Sequence, residues 1–157
     1  MSSTLARRLV LILPILTTLL LAGCRSLLSP VEAFGLAEGE RRWAARPFAD
    51  YSFEMRESCF CPSYGWVRAA VVGNVVVALE MLEPDLGPVP DIGSWPTIET
   101  LFTQIRQLAQ HERGPYSELD VHFDAALGYP TWVAAHPHEG VFDAGFTIEV
   151  RAVQGLE

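Results

Sequence analysis

Two short clusters in the chain hold side chains able to do chemistry. Cys59-Phe60-Cys61-Pro62 places two thiols at i and i+2, and His136-Pro137-His138 places two imidazoles at the same spacing. In an oxidising compartment a thiol pair usually closes to a disulfide. On an extended strand, residues i and i+2 sit near the upper limit of bridging distance, so a Cys59–Cys61 bond requires the backbone to fold in around Phe60. Such a bond would be more readily reduced than an unstrained bridge. The alternatives are free thiols, or a soft-metal or redox site in which Cys59 and Cys61 join His136 and His138. The cysteine spacing is shorter than zinc sites usually have, and nothing in the sequence brings the two clusters together.

The third cysteine has a different context. Arg7 and Arg8 precede an apolar run from Leu9 to Leu21, which closes on Leu21-Ala22-Gly23-Cys24. A span this short, ending in small residues and a cysteine, fits an export signal better than a membrane-spanning helix. Leu-Ala-Gly-Cys looks like the bacterial lipobox: small residues give a peptidase access to the bond before Cys24, and the thiol carries the diacylglyceryl group. The expectation is a signal peptide over 1–23, a lipidated tether over 24–30 and one domain over 31–157. The partner so implied is a lipid bilayer. Acyl chains each contribute about 0.8 kcal/mol per buried CH₂, enough for stable anchoring without a spanning helix. Arg25 follows the cysteine, where Asp retains enteric lipoproteins on the inner membrane. The expected address is therefore the outer membrane, facing the periplasm, in an organism with two membranes.

Other chemistries lack their residues. The chain has no lysine and no Gly-x-Ser-x-Gly, and His111-Glu112 runs into Arg113-Gly114-Pro115, which breaks the zinc-protease spacing. The acidic pairs Glu80/Glu83 and Asp120/Asp124 read as solvated edges and turns. Tyr51, Trp66, Trp95 and Trp132 read as core or loop plugs. Past the signal, nine arginines face nineteen acidic residues. That excess argues against nucleic acid or anionic headgroups as partners. No cofactor is indicated.

The elements that would position these residues follow from periodicity. Glu32 to Arg46 reads as a short helix, weakened by Gly35 and Gly39 and ended by Pro47. Tyr51 to Arg56 alternates as a half-buried strand with Tyr51, Phe53 and Met55 inward. Trp66–Val72 and Val75–Leu82 form a hairpin on Gly73-Asn74, with Val72 facing Val75 and Ala70 facing Val77. Its two apolar faces suggest central strands covered on both sides. Thr97 caps a helix whose stripe is Ile98, Leu101, Phe102, Ile105, Leu108 and Ala109. Leu119, Val121 and Phe123 then alternate with polar residues. Thr131–Ala135 is a short strand, 136–145 a loop, and Phe146, Ile148, Val150 and Ala152 the inward side of a last strand. The order α-βββ-α-βββ makes this α+β, a mostly antiparallel sheet with helices packed on it. It could reflect a duplicated α-βββ unit, although no residue-level repeat supports that.

Tyr51-Ser52-Phe53 to Cys59-Phe60-Cys61-Pro62, then Pro96-Thr97-Ile98-Glu99-Thr100-Leu101-Phe102, then Asp124 to Gly128-Tyr129-Pro130-Thr131 carry a family resemblance. In this order and spacing the chain, over roughly Trp43 to Val153, resembles a family of small bacterial exported proteins catalogued as domain of unknown function 6174. The resemblance implies an exported address and brings no activity, cofactor or catalytic residue. Such proteins often carry an acidic pair before the last strand; Asp143-Ala144-Gly145 departs from that, which weakens a cation-binding reading of the loop. The functional expectation is a non-enzymatic, membrane-anchored binding or envelope-interaction module. The rivals are a thiol-redox or metal-handling protein using Cys59 and Cys61, and a small hydrolase with an unrecognised site.

Overall fold

Ser29 starts the first helix. Its hydroxyl accepts from the Glu32 amide at 3.3 Å while the Glu32 carboxylate accepts from the Ser29 amide at 2.9 Å, a reciprocal capping box with Pro30 at the first helical position. Helix α1 therefore runs Pro30–Ala44, two residues earlier at each end than the periodicity predicted. The signal lay in Ser29-Pro30-Val31-Glu32, upstream of the apolar pattern. The protein is described by a computed structural model over residues 27–60, 65–83, 89–110 and 114–157. The expected signal peptide, Cys24, Cys61 and His111-Glu112 lie outside these residues.

Six strands follow in the expected α-βββ-α-βββ order: β1 (Tyr51–Cys59), β2 (Val67–Val72), β3 (Val75–Met81), then helix α2 (Ile98–Gln110), β4 (Tyr116–Phe123), β5 (Pro130–Pro137) and β6 (Phe146–Gly155). They form one antiparallel sheet in the order β3-β2-β1-β6-β5-β4. The first and last strands thus meet at its centre, and each three-stranded meander lies beside the other in the same sense. Fold class and element order agree with the α+β expectation.

One face of the sheet is the core. Tyr51, Phe53 and Met55 stand opposite Val71, Ala69 and Val67, and all six are buried. They join Trp43 of α1 and Ile98, Leu101, Phe102 and Ile105 of α2 in one apolar cluster, so both helices cover the same face. Thr97 caps α2 by accepting from the Thr100 amide at 3.2 Å, as the sequence suggested.

The register overturns three expectations. The β2–β3 hairpin sits at the edge of the sheet and is covered on one side only. Val72, Val75 and Val77 are 45%, 62% and 52% exposed, because the helices occupy only one face. Ala70 pairs with Ala78 and not Val77, since a bulge shifts the ladder after Val71↔Val76. In β6, Ala152 adopts φ 53° beside a second bulge opposite Phe53, so it turns outward and Val153 takes the inward role.

Candidate functional site

A cleft of about 410 Å³ opens between α2 and the sheet. Its walls follow from two periodicities. Leu101, Ile105 and Leu108 lie along one side of α2, beside the Ile98–Phe102–Ala109 stripe that closes the core. From the sheet, Met55, Ile148 and Phe146 come from the three helix-facing rows at the end of the β1–β6 ladder: Met55↔Val150, Glu57↔Ile148 and Cys59↔Phe146. Glu57 stands in the middle row. It is open to solvent on one side, yet the apolar walls remove enough water to raise its carboxyl above the usual carboxylate range. Gln104 and Ser94 add neutral polar groups at the lining. The volume falls within the roughly 300–1,000 Å³ typical of small-ligand sites, and apolar walls with few polar groups are the usual lining of such sites. Nothing in the sequence pattern announced it, because Glu57 alternates in β1 like any inward position near a strand end.

The residues singled out from sequence are not gathered at this cleft. Cys59 is the last residue of β1 and faces Phe146, which on its other side faces Ala135. Cys59 and Ala135 therefore share the helix-side face, and His136, one residue on, projects from the opposite face. His136 belongs to β5, not to a loop, and its Nε2 lies 2.9 Å from Asp120 Oδ2 on the neighbouring strand. His138 follows the strand and its amide donates to the Pro115 carbonyl at 3.0 Å. Among the described residues no three His, Cys, Asp or Glu side chains could hold a metal ion together, and Cys61 lies outside them. A shallower hollow of about 220 Å³ lies beside His136, lined by Ser58, Gly145 and Thr147 among others.

Two polar networks lie outside the cleft, one in the core at the start of α2 and one on the open face of the sheet. On the core side, Glu99 in the first turn of α2 accepts from Trp43 Nε1 (2.9 Å), Arg46 Nη2 (2.8 Å) and the Tyr51 hydroxyl (2.6 Å). Arg46 also stacks 4.2 Å over the Trp43 ring. On the open face, Glu80, Arg68, Glu54 and Arg151 form a continuous chain of ion pairs at 2.8–2.9 Å. Arg151 lies 3.7 Å from the centre of the Trp66 ring, and Arg56, paired with Glu149, lies 4.8 Å from the same ring. Trp66 and Trp95 are buried as expected of plugs, whereas Trp132 is 38% exposed on the open face. Asp124 fits its turn reading: its carboxylate accepts from the Ala126 and Leu127 amides at 2.9 and 2.6 Å.

A family model described as a family of unknown function (DUF6174) matches residues 35–155. No curated protein and no solved structure matches the chain.

Proposed function

Because the chain belongs to the DUF6174 family of unknown function, we propose a role for it from its leader and its cleft: a bacterial lipoprotein, held on a membrane through acylated Cys24, whose body binds a small apolar ligand. The reading is of a non-enzymatic module. The cleft under α2 carries it, since it offers apolar walls and one carboxylate, the equipment for holding a ligand. The leader supports the anchor, with Arg7 and Arg8, the Leu9–Leu21 run and Leu21-Ala22-Gly23-Cys24. Among the described residues no helix is long and apolar enough to cross a membrane. The expected location is the cell envelope, on the outer membrane facing the periplasm where there are two membranes. Mass spectrometry of the mature N-terminus tests the anchor: Cys24 should carry the lipid, and Cys24→Ala should remain unprocessed.

Residues 25–157, titrated with the neutral dye N-phenyl-1-naphthylamine, test the cleft. Dye fluorescence should rise saturably and should fall several-fold in Leu108→Trp, a half-buried wall position where the larger ring fills the space. Equal binding by both proteins would remove the cleft from the proposal.

Cys59 and Cys61 are proposed to close a disulfide in the envelope. The support is local: β1 stops at Cys59 and Phe60 swings out to 80% exposure, where the backbone must turn for so short a bridge. A thiol count under denaturing conditions, without and then with reductant, should give zero and two reactive thiols in the body. Two thiols in both would favour the redox or metal alternative if one equivalent of metal is bound.

A further inference from the structure

The molecule has two distinct ends. At one, the Gly73-Asn74 turn joins β2 to β3, Tyr51 faces Gly155, and α2 begins, with Thr97 Oγ1 3.4 Å from Asn74 Oδ1. Helix α2 then runs along the sheet for 13 residues, about 20 Å at 1.5 Å per residue, to the other end. There the ladder row Cys59↔Phe146↔Ala135 lies, with Tyr116↔Pro137 beyond it.

That second end collects three features that the fold does not require together. Phe60, just past β1, is 80% exposed, and Phe142, in the β5–β6 connection, is 84% exposed. The other six phenylalanines are not among the exposed large apolar residues, apart from any outside description. The third feature is the start of the body. The Leu27 amide donates to the Ala109 carbonyl at 3.0 Å, so the chain enters across the last turn of α2. Leu28 is buried there. Cys24 lies three residues upstream of Leu27, a reach of at most about 10 Å even fully extended.

We infer that this end is the membrane-facing surface of the protein, with Phe60 and Phe142 entering the headgroup region of the bilayer that holds acylated Cys24. The inference rests on the lipid-anchor reading. A tether of three residues gives the body little room to turn its other end toward the bilayer. Two exposed aromatic rings on neighbouring connections offer apolar area to the interface at no cost to the core. Glu57, Glu139 and Asp143 lie at or beside the same end, so the matching surface is zwitterionic and not anionic. The cleft occupies the last three helix-facing rows at this end, which puts it next to the bilayer as a source of apolar ligand.

The test uses the full lipidated protein in phosphatidylcholine vesicles, with the photo-crosslinker benzoylphenylalanine in place of Phe60, Phe142 or, at the far end, Val75, which is 62% exposed. All three positions are exposed, so folding should survive. Phospholipid adducts at positions 60 and 142, at least tenfold above position 75, are expected. Adducts at all three positions alike, or at none, with Cys24 found acylated in the same sample, would overturn the orientation while leaving the anchor intact. Unmodified Cys24 would overturn the anchor and the orientation with it.

Discussion

The Tyr51 hydroxyl donates to Glu99 Oε2 at 2.6 Å, joining the first residue of β1 to the first turn of α2. The same oxygen accepts from the Ile98 amide at 3.0 Å, so one side chain satisfies both a carboxylate and an otherwise unbonded helix amide. Burial, then the hydrogen bond to Glu99, pushes the phenol well above the ordinary tyrosine range.

Tyr51→Phe should therefore cost about 1–3 kcal/mol, as expected when buried polar partners lose their bond. Urea unfolding of the body measures it. In an absorbance titration, Tyr51 should stay protonated while ordinary tyrosines ionise, and the loss of an early-titrating tyrosine in Tyr51→Phe would contradict the assignment.

Phe102 is buried and stacks on Phe123 with ring centres 6.1 Å apart and planes 6° from parallel. Phe102→Ala should destabilise by about 3–5 kcal/mol, the usual range for emptying an aromatic core position. A loss below about 1 kcal/mol would show that the α2 stripe does not pack as described.

Gly39 lies where α1 crosses the turn between β4 and β5. A Cβ there would come within 2.7 Å of both the Gly128 carbonyl oxygen and Phe123 Cδ1. Gly39→Ala should be destabilising by about 1–3 kcal/mol from overpacking, outweighing the roughly 1 kcal/mol gained in helix propensity. Gly128→Ala should be worse, since φ is 80° there and its Cβ would meet the Gly39 carbonyl oxygen within about 2.4 Å. Thermal unfolding of the two variants, compared with an Ala37→Gly control on the exposed side of α1, checks both.

Glu54 and Glu57 should pull stability in opposite directions with pH. The Arg68 guanidinium, followed by burial acting the other way and then by Arg151, holds Glu54 below the usual carboxylate range. Its contribution is present above the ordinary carboxylate value and is lost as pH falls through the lowered one. Desolvation holds Glu57 above that range, so its contribution is present below the ordinary value and is lost as pH rises through the raised one. Urea midpoints between about pH 3 and 8 should show a flatter acid limb in Glu54→Gln. Glu57→Gln should gain stability relative to wild type above the raised value, and dye affinity in that variant should lose its pH dependence.

Local pattern was legible in the chain. The α2 stripe, its Thr97 cap, the Gly73-Asn74 turn and the inward set Tyr51, Phe53 and Met55 follow from side-chain period and turn chemistry, which act between near neighbours. The N-terminal signature is legible for the same reason, since it depends on a contiguous run ending in Cys24. The start of α1 was readable too, in the Ser29–Glu32 spacing.

Strand order was not. Apolar residues on both sides of the β2–β3 hairpin suggested a central position, but pairing β1 with β6 places that hairpin at the edge and leaves Val75 and Val77 in solvent. Alternation says which residues share a face; it does not say which strand lies next to which, because that depends on closing long loops. The same pairing separates Cys59 from His136 onto opposite faces, and it assembles the cleft from Glu57, Ile148 and α2. Glu99 likewise reads as one acid in a helical first turn until three donors from α1, the following loop and β1 converge on it. Sequence determined the elements and the anchor expectation through short-range chemistry. The cleft, the edge and the end beside the tether were decided by contacts between residues tens of positions apart, which only the tertiary structure brings together.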